Sequence, residues 1–359
     1  MGVLVYNLYD RLTMKKILFI IPLLVLIARP CFALSEVKYY VNTGSTTGDC
    51  TTSDLSGAHA ACDNLNDAID LIQADHADLT SDDVYVTVEI TGTNTTADTT
   101  AVDLRSIVTD ATRYIDIYTT SAARHDGKRD TGAYRLDSAG YYDHNILIYD
   151  IDYVTITGIQ IIDTAGYNGG IRIQANSTNN LIDKCIIETT DNDRSPINDE
   201  SYSSQTNTVT NSVFISGGNN AGIIKAGDGT LNFYNNIVIA TSGSENGITT
   251  SSGTATIKNC YSYSAGGSSY SGGTFTTSAS DDGSESTTTV AYATDSGTYF
   301  TNVTAGSEDF HITTDSSLYD AGTSLAGTFT DDIDGDTRST WDIGADEVAS
   351  ATGRTRRFF

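Results

Sequence analysis

Cationic residues are scarce in this sequence. It carries 20 Lys and Arg against 46 Asp and Glu, a net charge of −26. Such a surface is repelled by nucleic acid and by anionic membranes, and it suits divalent cations or plain solubility in salty water. Proline is scarcer still, with three in 359 residues. Long stretches with helical periodicity are also rare. The five histidines (His59, His76, His125, His144 and His311) are scattered and show no metal-ligand spacing. What fills the chain instead is Gly, Ser, Thr, Asn and Asp, together with 21 tyrosines. That composition predicts many short strands and many turns, in one large domain or two ordinary ones.

The N-terminus stands apart. "MKKILFIIPLLVLIARPCFALS" (14–35) has a basic start at Lys15 and Lys16, an apolar run from Ile17 to Ile27, and a small-residue cleavage site after Ala33. The run is too short to span a bilayer. Residues 1–33 therefore read as a signal peptide, with Met14 as the initiator and a secreted or cell-surface product. They carry Arg11, Lys15, Lys16 and Arg29 against Asp10, so their removal takes the net charge from −26 to −29. After cleavage four cysteines remain. Cys50 and Cys62 flank a short loop, and in an oxidising compartment a disulfide is expected between them.

The central region repeats. "YVTITGIQII" (153–162), "NLIDKCIIET" (180–189), "NTVTNSVFIS" (207–216), "LNFYNNIVIA" (231–240) and "ATIKNCYSYS" (255–264) align on Ile156, Ile182, Val209, Phe233 and Ile257, at intervals of 26, 27, 24 and 24. A second apolar column reads Ile148, Ile173, Ile197, Ile224 and Ile248, at intervals of 25, 24, 27 and 24. Each unit holds two or three short strands and has no room for a ten-residue helix, which excludes helical solenoids and leucine-rich horseshoes. A propeller motif needs about 40 residues. A coil of short strands stacked on the next coil fits: an all-β, right-handed parallel β-helix over residues 81–305.

Two positions after each central apolar residue stand Gly158, Lys184, Asn211, Asn235 and Asn259. Asparagine tolerates the left-handed backbone of a tight corner. Stacked amides one strand spacing apart can hydrogen-bond along the axis, so Asn211, Asn235 and Asn259 are expected to form a structural ladder. Cys185 and Cys260 share a column three coils apart, about 14 Å, which is too far for a disulfide. The outward positions Thr155, Thr208 and Thr256 suit an exposed strand face. Open strand ends need covers. Residues 34–80 are read as an N-terminal cap. Within it "CDNLNDAIDLIQAD" places Leu65, Ala68, Ile69 and Ile72 on one helical face behind an Asp63 N-cap. Residues 306–348 are read as a C-terminal cap over the last coils, and 349–359 as a disordered tail.

The helix before a strand, "YRL" at Tyr134–Leu136, "DYVTITGIQI" (152–161) and the coils after it resemble secreted bacterial right-handed parallel β-helix proteins, which share a fold with pectate lyases. The segment from 309 to 347 resembles the end of choice-of-anchor Q proteins. Its matching residues are Asp332, Asp334, Gly335 and Arg338, then "DIGADE" from Asp342 to Glu347. The resemblance spans roughly residues 60–347 and implies an architecture more than an activity.

Two acidic segments are candidate sites. In "DDIDGDTR" (331–338), Asp332, Asp334 and Asp336 alternate around Gly335. Calcium loops use such oxygens, although the order is not that of an EF-hand. The competing reading is a turn in which Arg338 pairs with a carboxylate. In "TTDNDRSPINDE" (189–200), Asp191, Asp193 and Arg194 are candidate catalytic groups, with Asp199 and Glu200 beside them. A lyase needs a cation and a base, and a hydrolase two opposed carboxylates. The signatures of pectate lyases and polygalacturonases are not recognisable. The leading expectation is an extracellular scaffold or binder of a polysaccharide or cell-surface glycan, without turnover. The alternatives are a polysaccharide lyase or glycoside hydrolase, and a phage tail-associated fibre.

Overall fold

The computed structural model describes residues 34–46, 48–138, 143–164, 168–190, 194–218, 222–242, 246–283, 288–289 and 299–348. The signal-peptide reading (1–33) and the terminal tail (349–359) lie outside them. The chain forms a parallel β-solenoid of three sheets, of nine, eight and seven strands. In the first sheet, Leu181–Asp183, Thr206–Thr210, Thr230–Tyr234 and Thr254–Lys258 stack in sequence order and in parallel register. Ile156, Ile182, Val209, Phe233 and Ile257 are direct neighbours, and the column extends back through Ile117 to Val88. All of these side chains are buried in one core. The sheet also includes the strand Ser35–Val41, so strand stacking begins before residue 81.

The second apolar column needs a register correction. In the third sheet the neighbours are Ile146, Ile171, Ile197, Ile223 and Ile248. Ile148 and Ile173 do pair, but their column continues into Asp199, Lys225 and Thr250. Ile224 points to the opposite face from Ile223, because a slip of one residue reverses every side chain in a strand. Two inward positions of each strand compete for alignment here, and loops of unequal length hide the choice. The displaced column carries charge into the core: Lys225 Nζ lies 3.7 Å from Asp199 Oδ1, with both side chains buried, and donates to Gly227 O at 2.6 Å. Burial lowers the Lys225 pKa, and the Asp199 charge opposes that.

The corners explain the asparagines. Gly158, Lys184, Asn211, Asn235, Asn259 and Thr277 follow one another coil by coil, and all have φ between 48° and 76°. Non-glycine residues rarely adopt this region, with asparagine the common exception. Asn259 Nδ2 donates to Asn235 Oδ1 at 3.0 Å, one direct rung. Asn211 does not extend that rung; its amide donates to Asp183 Oδ1 at 3.0 Å and its oxygen accepts from Arg338. A further set of buried amides lies elsewhere on the coil: Asn180 Nδ2 donates to Asn207 Oδ1 at 3.1 Å, and Asn236 Oδ1 accepts from Ser212 N at 2.9 Å. Cys185 and Cys260 are free and buried, and Cys50 and Cys62 are disulfide-bonded.

The helix Leu65–Asp75 buries Leu65, Ala68, Ile69 and Ile72. Its N-cap is Asn64, one residue after Asp63, and the Asn64 side chain accepts from Asp67 N at 2.8 Å. It covers the leading edge of the third sheet. Gln73 donates to Asp103 O, and Asn66 accepts from Asp103 N, so both backbone groups of that edge residue are satisfied. Asp98 ties the helix to the core by accepting from Leu65 N and from the Tyr134 hydroxyl, each at 2.7 Å.

The C-terminal segment packs against the coils, the later ones included: Tyr261 and Ala279 share its apolar core, and Asn259 bonds Thr323. It lies along the side of the second sheet. Ile186, Val213, Ile215, Ile237 and Ile239 form a second core with Phe300, Phe310, Ile312, Leu318, Ile333 and Ile343. Their chain neighbours Ile187, Phe214 and Val238 face the solenoid interior. The corner column then serves as a docking strip. Lys184 pairs with Asp331. Arg338 Nη2 donates to Asn211 Oδ1 at 2.9 Å. Asn235 donates to Asp342 O and Gly344 O, and Asn259 both donates to Thr323 O and accepts from Thr323 N.

Candidate functional site

The outward face of the third sheet carries the cleft that holds Arg194. Gly169 and Gly170 contribute a floor without side chains, and His144, Arg172, Arg194 and Glu200 line the walls. Register explains the grouping. Leu147, Arg172, Asn198 and Ile224 form one outward column, and Tyr149, Gln174 and Glu200 the next. Glu200 is held on three sides, by Arg172 at 2.8 Å, Gln174 at 2.6 Å and Asn198 at 2.8 Å. Burial acts to raise its pKa, but the hydrogen bonds from Arg172 and Gln174 and the Arg172 charge prevail and keep it below the ordinary value. Glu200 therefore stays ionised at neutral pH, and its oxygens are committed.

Two polar atoms of the cleft are not committed. Ser195 Oγ and Asn198 Oδ1 are buried and have no hydrogen-bond partner among the described residues. Buried polar groups are normally paired, so these two suit a ligand's hydroxyls. Two exposed tyrosines stand elsewhere on the same sheet, outside the lining. Tyr149 ends its strand and Tyr202 follows the strand Ile197–Ser201; they are 41% and 57% exposed. Arg105 stacks over the Tyr149 ring at 5.7 Å. Of the candidate catalytic groups, Arg194 lines this cleft, whereas Asp191 and Asp193 lie outside the described residues. Asp199, from the same segment, faces the interior with Lys225. Arg172 and His144 fall outside the sequence-based candidates because they come from neighbouring coils of the third sheet, and the outward column legible in the sequence, Thr155, Thr208 and Thr256, belongs to the first.

The aspartates of 332–336 take separate roles. Asp332 is buried and works as a turn organiser: its Oδ1 accepts from Asp334 N and Asp336 N, and its Oδ2 from Glu347 N. Burial raises its pKa to about 7. Asp334 turns to His311, accepting from Nε2 at 2.8 Å, and Asp336 is exposed. The three do not gather as a calcium loop would. Arg338 is buried and donates to the carbonyls of Gly344 and Ala345, with Glu347 at 3.5 Å. The group whose ligand atoms lie within 4.8 Å of one another is His311, Asp334 and Asp346. Sequence spacing could not show it, since 23 residues separate His311 from Asp334.

No family model matches the chain, and no curated protein matches it. Among solved structures it is similar to one described as the crystal structure of pectate lyase Pel9A, at 12% identity and a TM-score of 0.40. The match covers 88% of this chain and 97% of that one. The fold description rests on the strand order and register given above. Among the described residues no helix is long and apolar enough to cross a membrane.

Proposed function

We propose that this is an extracellular β-solenoid that binds a polysaccharide or cell-surface glycan along its third sheet and releases it unchanged. The observation that carries the reading is the cleft at Arg172 and Arg194, where buried Ser195 Oγ and Asn198 Oδ1 are unpaired beside planar polar side chains, on a sheet that also bears the exposed Tyr149 and Tyr202. Sugars are met by such sets: flat rings pack on aromatic faces, and hydroxyls bridge donors and acceptors. Two arginines favour a sugar that bears a carboxylate. The N-terminal pattern and the Cys50–Cys62 disulfide fit an oxidising compartment.

Absence of turnover is supported by Glu200. It is the one carboxylate among the described lining residues, it is tied to Arg172, and it cannot serve as a general acid while ionised. The test is binding of the secreted protein to acidic and neutral polysaccharides, with products followed by ultraviolet absorbance and by reducing ends. Retention of an acidic polymer, weakened at least about tenfold by Arg172→Ala, is expected; tenfold corresponds to about 1.4 kcal/mol. Unsaturated products or new reducing ends that vanish in Arg194→Ala would replace this reading with a lyase or a hydrolase.

A further inference from the structure

The C-terminal segment holds a mixed nitrogen and oxygen cluster that the cleft does not use. We propose that His311, Asp334 and Asp346 form a binding site for a divalent transition metal, with zinc the fitting ion. The site is separate from the glycan reading and does not depend on it. His311 lies on the strand Asp309–Ile312, Asp334 in the turn before Gly335, and Asp346 near the end of the docked segment. One ligand atom from each lies within 4.8 Å of the others. Tetrahedral ligands at about 2.0–2.2 Å from zinc stand about 3.3–3.6 Å apart, so Asp334, now 2.8 Å from Nε2, would draw back slightly to admit the ion.

Three features separate this group from an ordinary acidic patch. The first is the imidazole, which calcium disfavours and zinc accepts. The second lies on the far side of the ring: Asp309, outside the triad, bonds His311 Nδ1. A carboxylate on one imidazole nitrogen directs the other toward a metal and raises its donor strength. The third is Gly127. A Cβ there would stand 2.5 Å from His311 Nε2 and 2.8 Å from Asp334 Oδ1. The backbone thus passes the ligand atoms at a point where only glycine leaves them room. Ile312 N donates to Asp346 Oδ2 at 2.8 Å and holds that carboxylate in place. Access exists as well, since the His311 and Asp334 side chains are 23% and 27% exposed.

Binding follows a balanced exchange. The ion takes the Nε2 lone pair, the Nε2 proton leaves to solvent, and the hydrogen bond from Nε2 to Asp334 is replaced by a metal–carboxylate bond. All three ligands belong to the C-terminal segment, so the ion would tie its strand Asp309–Ile312 to its last turns, and Phe310 and Ile312 of that strand pack against the second sheet. Asp332, the centre of the sequence-based calcium candidate, plays no part.

The test is titration of chelator-treated, full-length protein with zinc chloride, followed by calorimetry and by melting temperature. One zinc per chain and a raised melting temperature are expected, with calcium at the same concentration giving neither. His311→Gln should abolish stoichiometric binding, and Asp336→Asn, a change at an exposed neighbour, should leave it intact. Should His311→Gln fail to fold, Asp334→Asn provides the same comparison at a more exposed ligand. Cobalt substitution should give a visible spectrum that is lost in the same variant. Zinc bound in several weak equivalents, or retained at one equivalent in folded His311→Gln, overturns the site.

Discussion

The first and second sheets come from the same coils, yet they are written differently. Strands of the first sheet alternate, as in Thr206–Thr210 and Thr254–Lys258, with Val209 and Ile257 inward and Thr208 and Thr256 outward. Strands of the second sheet are buried along their whole length, as in Val213–Ser216 and Ile237–Ala240. A sheet with one wet face alternates, whereas a sheet covered on both faces reads as a continuous apolar run. "VFIS" and "IVIA" are such runs, and something lies over the second sheet. The cover is the C-terminal segment, and its grip comes from the corner residues between the two sheets.

The comparison breaks most severely if the grip is removed. Arg338→Ala leaves Glu347 and the Asn211 oxygen without their buried cation, and it should cost about 3–5 kcal/mol. Chemical denaturation checks this, and a loss under 1 kcal/mol would show that the segment is held by apolar contact alone. Next in size is a pair of truncations on outward faces. Ile239→Ala on the second sheet should cost about 2–5 kcal/mol, as for a core isoleucine. Thr256→Ala on the first should stay within about 0.5 kcal/mol, as for a surface position. Equal costs would erase the distinction between the sheets.

Asn235 sharpens it at the corner. Its buried amide holds Asp342 O and Gly344 O, at a φ of 51°. Loss of the amide should cost about 1–3 kcal/mol, and alanine adds about 1–2 kcal/mol for the left-handed backbone. Asn235→Gly should therefore be milder than Asn235→Ala, and the reverse order in thermal melts would discard the corner argument. A pH comparison tests the same segment. Burial opposes protonation of His311, but the bonds to Asp309 and Asp334 raise its pKa from 6.5 to about 11. A raised folded-state pKa stabilises fully below pH 6.5, and that contribution is lost as pH rises toward 11. With metal chelated, wild type should lose melting temperature between pH 7 and 10, and His311→Gln should lose less. Parallel curves would refute the assignment.

Much of the solenoid was legible because stacking turns it into a one-dimensional pattern. Each coil touches its neighbours at a spacing of 24–27 residues, so an inward column such as Ile182, Val209 and Phe233 repeats in the chain as it does in space. The left-handed corners are equally local, since Asn211, Asn235 and Asn259 carry the preference within one residue. The face of the helix Leu65–Asp75 was legible for the same reason. The third sheet was harder, because Ile173 and Ile197 are both inward yet belong to different columns.

The amino-acid sequence by itself determined the coil, its inward columns and its corners, because these depend on neighbours at a fixed distance along the chain. Only the tertiary structure decided where the C-terminal segment lies, that Arg338 meets Asn211, that Arg172 and Asn198 enclose Glu200 beside Arg194, and that His311 meets Asp334 and Asp346. Such contacts occur once and join residues at separations that no period repeats. They form because an apolar sheet face and a row of half-satisfied corner amides offer the segment more buried contact than solvent does.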